Sequence, residues 1–241
     1  AVVVMSPTVL QFDLDSAAPV LSAGSKWLSQ AEVSALSRLG TRVLRERAMA
    51  SRVILRAVLG SQLGASPEDV AVQSGRYGKP VLDGPLEFNV SHSGATLLIA
   101  LHPDSPVGVD VELRSRALPL APLWSCLSRH ELEVPPMEQS DWLCLWVRKE
   151  ATVKATGQGL AADLTGFTVG HRHPIPGHWS APSGIGEPVW LTSGTLRAGD
   201  PFAVTVLSDE APSTPVRLLE LSARGVVKHM LDPARNQFVD R

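Results

Sequence analysis

Apolar positions along this chain fall into two rhythms. Across residues 29–59, Leu36, Leu39, Val43, Leu44, Ala48, Val53, Leu55 and Leu59 recur at intervals of three and four, the spacing of one helical face. Gly40 is expected to divide this stretch, and Gly60 and Gly64 to stop it. A second helix is expected over 141–156, closed by Gly157 and Gly159. Elsewhere the apolar runs are short and bounded by Gly and Pro, which reads as strands. They lie within the first fifteen residues, from Val70 into the loop at Pro80, and over 107–113, 164–169, 189–195 and 202–207. Residues 88–101 read as a hairpin with Ser91-His92-Ser93-Gly94 at its turn, and 231–241 as a loose tail.

Helical and strand segments are mixed rather than strictly alternating, so an α+β fold is expected instead of a doubly wound sheet. With 44% apolar and 19% charged residues the chain can bury a core. Its 22 Lys and Arg against 24 Asp and Glu, net −2, argue against a general nucleic-acid binder. No apolar run approaches the ~20 residues of a membrane span, and no secretion signal is recognisable. Cys126 and Cys144 make no CxxC pair, which fits a reducing setting. A cytoplasmic protein is therefore expected. The nucleotide fingerprints GxGxxG and GxxxxGK[ST] are absent.

Three local patterns carry candidate chemistry. In Val107-Gly-Val-Asp-Val-Glu112 the two acids stand two apart on a strand, hence on one face and about 7 Å from each other. Val109 and Val111 then point into a core. Such paired carboxylates repel each other unless a cation intervenes, and hard oxygen donors suit Mg2+; a solvated acidic strand end is the plainer alternative. Trp142, Trp146, Glu150 and Lys154 form one ridge at i, i+4 spacing, two apolar anchors followed by an acid and a base. An ordinary Glu–Lys helix pair has the same pattern. Asn89-Val-Ser-His92, downstream of Tyr77-Gly-Lys-Pro80, can grip a phosphate or simply make a turn. No GxSxG elbow supports a serine hydrolase.

Together the patterns resemble the 4'-phosphopantetheinyl transferases of the larger, monomeric, surfactin-synthetase-activating type. Four motifs carry the resemblance in the family's order: Tyr77-Gly-Lys-Pro80, Phe88-Asn-Val-Ser-His92, Gly108-Val-Asp-Val-Glu112 and Trp146-Val-Arg-Lys-Glu-Ala-Thr-Val-Lys154, followed by Gly157. It spans residues 42–160.

The resemblance implies two pseudo-symmetric lobes, 1–105 and 106–241, each a small antiparallel sheet packed against a long helix, with the active site in the cleft between them. It implies transfer of the phosphopantetheine arm of coenzyme A to a serine of an apo acyl or peptidyl carrier protein, releasing 3',5'-ADP. Asp110, Glu112 and Glu150 would hold Mg2+, with Mn2+ as an alternative, and Asp110 would also face the coenzyme. Lys154 would pair with the phosphate and assist the leaving group. Glu131, in Ser128-Arg-His-Glu131, is the candidate base, with His130 or a metal-bound water as its rivals. Arg47, Lys79, Ser91 and His92 would serve the phosphate and ribose end of coenzyme A, with Arg42 and Arg45 assisting. Arg52 and Arg56 are expected to pair with acids or cover the core. The resemblance also implies a monomer without nucleic-acid or membrane partners. Rival readings are another Mg2+-dependent hydrolase of coenzyme A or a nucleotide, and a non-catalytic module binding coenzyme A or a carrier.

Three further features have plain readings. His171, His173 and His178 fall in a Pro-rich loop rather than a metal site, and the two cysteines read as core. Leu118, Leu120, Leu123, Trp124 and Leu127 read as core, with a docking surface for a carrier helix as the alternative.

Overall fold

The computed structural model describes residues 5–117, 120–159, 162–170 and 178–231. The fold is α+β, and the chain divides into two compact units. The first comprises Ala1–Leu10, Val72–Gly94 and Leu98–Leu219, the second Gln11–Ala71, Ala95–Leu97 and Glu220–Arg241.

The second unit is mainly helical: α1 (Ala18–Gly24), α2 (Gln30–Ser37), α3 (Arg42–Leu63) and α7 (Ala223–Leu231). Helix α2 opens on a reciprocal cap, in which the Ser29 hydroxyl accepts from the Glu32 amide and the Glu32 carboxylate accepts from the Ser29 amide. The expected break at Gly40 falls between α2 and α3. Thr41 caps α3 through the Leu44 amide, and Gly64 closes it at φ 62. Gly60 does not stop the helix as expected. Its carbonyl accepts the amides of both Gly64 and Ala65, and a Cβ there would lie 2.8 Å from the Ala65 carbonyl oxygen. The returning chain, not helix termination, requires that glycine. Helix α3 buries Val53, Ile54, Ala57 and Val58, and packs on α1, α2 and α7.

The first unit contains a three-stranded antiparallel sheet, order β6-β8-β7, built from β6 (Val107–Val111), β8 (Pro201–Leu207) and β7 (Val189–Thr195). Asp110 stands opposite Ala203 in its register. As expected, Val109 and Val111 point into a core, shared with Leu98, Ala100, Phe202 and Val204. Helix α6 (Gln139–Thr156) covers the other face through Val147 and Ala151, which meet Leu191 and Ala203. A Cβ at Gly108 would collide with the Ala151 carbonyl oxygen and lie 2.5 Å from the Ala155 amide nitrogen. Strand and helix therefore approach backbone to backbone at that point, which only Gly permits.

A four-stranded sheet has the order β4-β5-β1-β9, from β4 (Glu87–Ser93), β5 (Thr96–His102), β1 (Thr8–Asp13) and β9 (Arg217–Glu220). Strands β2 (Gln73–Ser74) and β3 (Pro80–Val81) form a two-residue ladder. The hairpin β4-β5 turns at Gly94 and Ala95, with Gly94 at φ 57. Ser91, His92 and Ser93 accordingly lie in β4 itself and not at the turn. The strand expected over 164–169 is instead a turn, closed by the Asp163 carboxylate accepting the Thr165 amide and hydroxyl, followed by a single bridge from Thr168 to Ser183. Short helices α4 (Leu120–Trp124) and α5 (Arg129–Glu133) precede α6. Leu123, Leu127, Trp142 and Leu145 make a core cluster, with Trp124 edge-on to Trp142 at 5.1 Å. His171, His173, Leu118 and the expected tail beyond Leu231 lie outside the described residues. Among the described residues no helix is long and apolar enough to cross a membrane.

Candidate active site on the edge of strand β6

Strand alternation builds the site. Strand β4 turns Asn89, Ser91 and Ser93 inward, each no more than 7% exposed, while His92 faces solvent. These three residues meet β6 through side chains. Asn89 Oδ1 accepts the Val109 amide at 3.0 Å, Ser91 Oγ donates to Asp110 Oδ1 at 2.7 Å, and Ser93 Oγ donates to Glu112 Oε2 at 2.7 Å. Ser93 Oγ also accepts the Leu113 amide at 3.1 Å. A polar seam thus joins the two strands, with one hydroxyl assigned to each acid.

Each acid also has a cation. Lys154, one turn beyond Glu150 on α6, donates from Nζ to Asp110 Oδ1 at 2.6 Å, Ser91 Oγ at 3.1 Å and the Val109 carbonyl at 3.2 Å. The Gly108–Ala151 approach brings α6 close enough for that reach. Arg116 donates from one terminal nitrogen to both Glu112 oxygens, at 2.6 and 2.8 Å.

Asp110 Oδ2 is buried with no hydrogen-bond partner. Burial pushes the Asp110 carboxyl above its ordinary value, Lys154 and Ser91 oppose this, and Glu112 adds to it. Glu150 is half-buried, and its carboxyl is also raised, chiefly by burial and then by the charge of Asp110, with Lys154 opposing and Glu112 adding. The three acids therefore act on one another electrostatically, and an orphaned oxygen lies among them. Among the described residues no three acid, His or Cys side chains converge at metal-holding distances as folded; both Glu112 oxygens are turned onto Arg116. The donor set nevertheless fits a hard divalent cation: all-oxygen, mutually repelling and carrying one unsatisfied buried acceptor.

The remaining candidates lie in other constellations. Lys79 Nζ donates to the Val107 carbonyl at 3.3 Å, and burial pulls its pKa down against the charge of Glu87. Arg47, in the second unit, is gripped by Asp15 through parallel hydrogen bonds of 2.7 and 2.8 Å. That bond raises the Arg47 pKa and lowers that of Asp15. Arg56 pairs with an acid as expected, donating to Glu32 at 2.9 Å and to the carbonyls of Pro67 and Val70 at 3.0 Å.

Glu131 sits at the start of α5 and is 3% exposed. Its carboxylate accepts the amides of Ser128, Val169 and Gly170 and lies 2.8 Å from Lys149 Nζ, which is itself fully buried. Lys149 also donates to the carbonyls of Leu164 and Phe167 and lies over the Phe167 ring at 4.4 Å. Burial works against the charge on Glu131, but Lys149 and the backbone donors outweigh it and hold the carboxyl below its ordinary value. Sequence reading missed Ser93 and Arg116. The matching alternation of Asn89-x-Ser91-x-Ser93 with Asp110-x-Glu112 was the available signal for Ser93; Arg116, in an irregular loop, offered only its i+4 spacing from Glu112.

The strand-borne acid pair and the helix-borne acid and lysine all lie within a stretch that matches a known family. Residues 18–104 match the family model of the 4'-phosphopantetheinyl transferase N-terminal region, and 106–181 match that of the 4'-phosphopantetheinyl transferase superfamily. The chain belongs to that superfamily. It is 33% identical over 130 residues to the 4'-phosphopantetheinyl transferase ffp of Bacillus subtilis, covering 51% of this chain and 57% of that protein. It is 32% identical over 130 residues to the 4'-phosphopantetheinyl transferase Sfp of Bacillus subtilis strain 168, with the same coverage. With the 4'-phosphopantetheinyl transferase HetI of Nostoc it shares 35% over 145 residues, 56% of this chain and 61% of that one. The matches thus span little more than half the length of these relatives.

Proposed function

We propose that this chain transfers the 4'-phosphopantetheine arm of coenzyme A to a serine hydroxyl of an apo acyl or peptidyl carrier protein, with Mg2+ required. The serine oxygen bonds to a pyrophosphate phosphorus as its hydroxyl proton passes to a base, His130 or a water, the bridging P–O bond breaks, and 3',5'-ADP leaves. The observation that carries this reading is the Ser91–Asp110–Lys154 cluster, with a free buried oxygen on Asp110 and Glu150 beside it. Family membership and the relatives' names support the reaction type.

Asp110, Glu112 and Glu150 are the residues that would hold Mg2+, which when bound would offset the pyrophosphate charge. Lys154 supplies a fixed positive charge at the same point, suited to the charge that develops on the leaving group. Ser91 is assigned to Asp110, to which its hydroxyl already donates. Lys79, Arg47 and the exposed His92 are assigned to the phosphates and ribose of coenzyme A, for which Arg47 would exchange Asp15. Glu131, the candidate base read from the sequence, is instead assigned to holding Lys149, because a buried carboxylate with a lowered pKa is a poor proton acceptor. A functional division into 1–105 and 106–241 is supported by the limits of the two family models. Two unpaired cysteines are in keeping with a cytoplasmic setting, and the proposal is of a monomer there.

The test is mass spectrometry of apo carrier proteins from fatty-acid, polyketide and nonribosomal-peptide synthesis, incubated with the protein, coenzyme A and Mg2+. A gain of ~340 Da, the transferred arm, is expected on at least one carrier. No gain on any of them, with 3',5'-ADP released in the absence of carrier, would make the chain a hydrolase instead.

A further inference from the structure

The two strand acids are held in parallel, Asp110 by Ser91 and Lys154, Glu112 by Ser93 and Arg116, but they differ in what remains free. Asp110 keeps an unsatisfied oxygen. Glu112 keeps none, since Oε1 accepts from Arg116 at 2.6 Å and Oε2 accepts from Arg116 at 2.8 Å and Ser93 at 2.7 Å. The arginine that closes it is itself held in place. The Arg116 amide donates to the Leu113 carbonyl at 2.9 Å, closing a turn straight after Glu112. Gln139, the first residue of α6, donates to the Arg116 carbonyl at 2.8 Å, and Asp200 accepts the Arg114 amide at 2.8 Å. Loop backbone, helix start and sheet end thus fix the base of Arg116. Its side chain remains 55% exposed while that of Glu112 is 8% exposed.

We propose that Arg116 is a resident counter-cation of Glu112 that competes with the divalent ion and so sets the protein's affinity for it. The inference rests on the metal assignment made above. A guanidinium over both oxygens of a carboxylate occupies the lone pairs that a metal would use. Ion binding through Glu112 must therefore displace Arg116, and the partly exposed side chain has solvent to move into. Without the ion, Arg116 neutralises a buried acid beside two others. With the ion, that role is taken over and the guanidinium is released.

The experiment is titration of the metal-free protein with Mn2+, followed by electron paramagnetic resonance of the free ion, with no coenzyme A or carrier present. Arg116→Met is expected to tighten Mn2+ binding about ten-fold, within the usual range of coupling between two sites. Arg116→Lys, which keeps a charge on a shorter side chain, is expected to fall between Met and wild type. In a Glu112→Gln background Arg116→Met is expected to change nothing. Melting without metal should fall in Arg116→Met and recover on adding Mn2+, whereas a merely structural arginine would give a loss that Mn2+ does not reverse. Affinity unchanged within two-fold, or weakened, in Arg116→Met overturns the proposal. So does an equal gain in the Glu112→Gln background. If wild type binds no measurable Mn2+, unmasked binding in Arg116→Met supports the proposal and its absence overturns it. The transferase reading stands or falls separately, on the mass shift of the carrier.

Discussion

Lys154 Nζ lies 2.6 Å from Asp110 Oδ1, while Oδ2 of the same carboxylate is buried with no partner. One oxygen is thus tied to the protein and the other is not. The arrangement depends on a glycine: β6 passes α6 at Gly108 so closely that the lysine, three residues beyond Ala151 on the helix, reaches the acid on the strand.

Lys154→Met is expected to lower carrier modification by at least about 100-fold, as loss of a preorganised charge at a reacting phosphate does. It also leaves Asp110 buried without its cation, at a cost of about 1–3 kcal/mol by urea denaturation of the metal-free protein. Adding Asp110→Asn should restore much of that stability and none of the transfer. Restoration of both would place the chemistry elsewhere.

Gly108→Ala is expected to destabilise the protein by about 1–3 kcal/mol or more, the usual cost of forcing a methyl into a packed core. The obstacle is the carbonyl oxygen of Ala151 and the amide of Ala155, not a side chain. A second change, Ala151→Gly, therefore should not rescue it. Rescue, read from denaturation midpoints, would show that the helix tolerates a side-chain adjustment and that the backbone contact is not limiting.

Much of this arrangement was legible in the sequence because it follows short periods. Asp110 and Glu112 share a strand face by alternation, and Trp142, Trp146, Glu150 and Lys154 share a helix face by i+4 spacing. The motif around Ser91 was found but misplaced: Ser, His and Gly together favour a turn, yet the left-handed residue is Gly94 and the serines belong to the strand. Helix α7 was missed because its buried stripe, among the described side chains, is Ala223, Val226 and Val227, broken by Gly225. The roles of Arg116 and of the Glu131–Lys149 pair depend on loop geometry and on partners distant in sequence, which no local period encodes.

Glu131→Gln is expected to leave Lys149 buried without a counter-charge and to cost about 3–5 kcal/mol, as breaking a buried pair does. The double variant Glu131→Gln with Lys149→Met should recover part of that loss. Transfer activity should follow folded fraction in both, with an unchanged pH profile for the folded enzyme. A fully folded Glu131→Gln that has lost turnover and its acidic pH limb would restore Glu131 as the proton acceptor.

Glu32 provides the clearest acid dependence of stability. Burial disfavours its charge, but hydrogen bonds from Arg56, then from the Ser29 amide and hydroxyl, outweigh that and hold its carboxyl below the ordinary 4.5. A depressed carboxyl binds fewer protons folded than unfolded, so stability rises with pH across this interval. The contribution of Glu32 is complete above about pH 4.5, the ordinary glutamate value, and is lost as pH falls through the lower folded value. In Glu32→Gln that increment is absent. Its denaturation midpoint should therefore lie below wild type at pH 7, and the gap should narrow as the pH is lowered beneath 4.5. The loss at neutral pH has two sources, since Glu32 both caps α2 and pairs with Arg56 at 2.9 Å. Ser29→Ala separates them: it weakens the cap while leaving the ion pair, so it should lower stability yet keep most of the acid-dependent slope. A constant gap between wild type and Glu32→Gln from pH 7 to pH 3.5, read from urea midpoints, would refute the assignment.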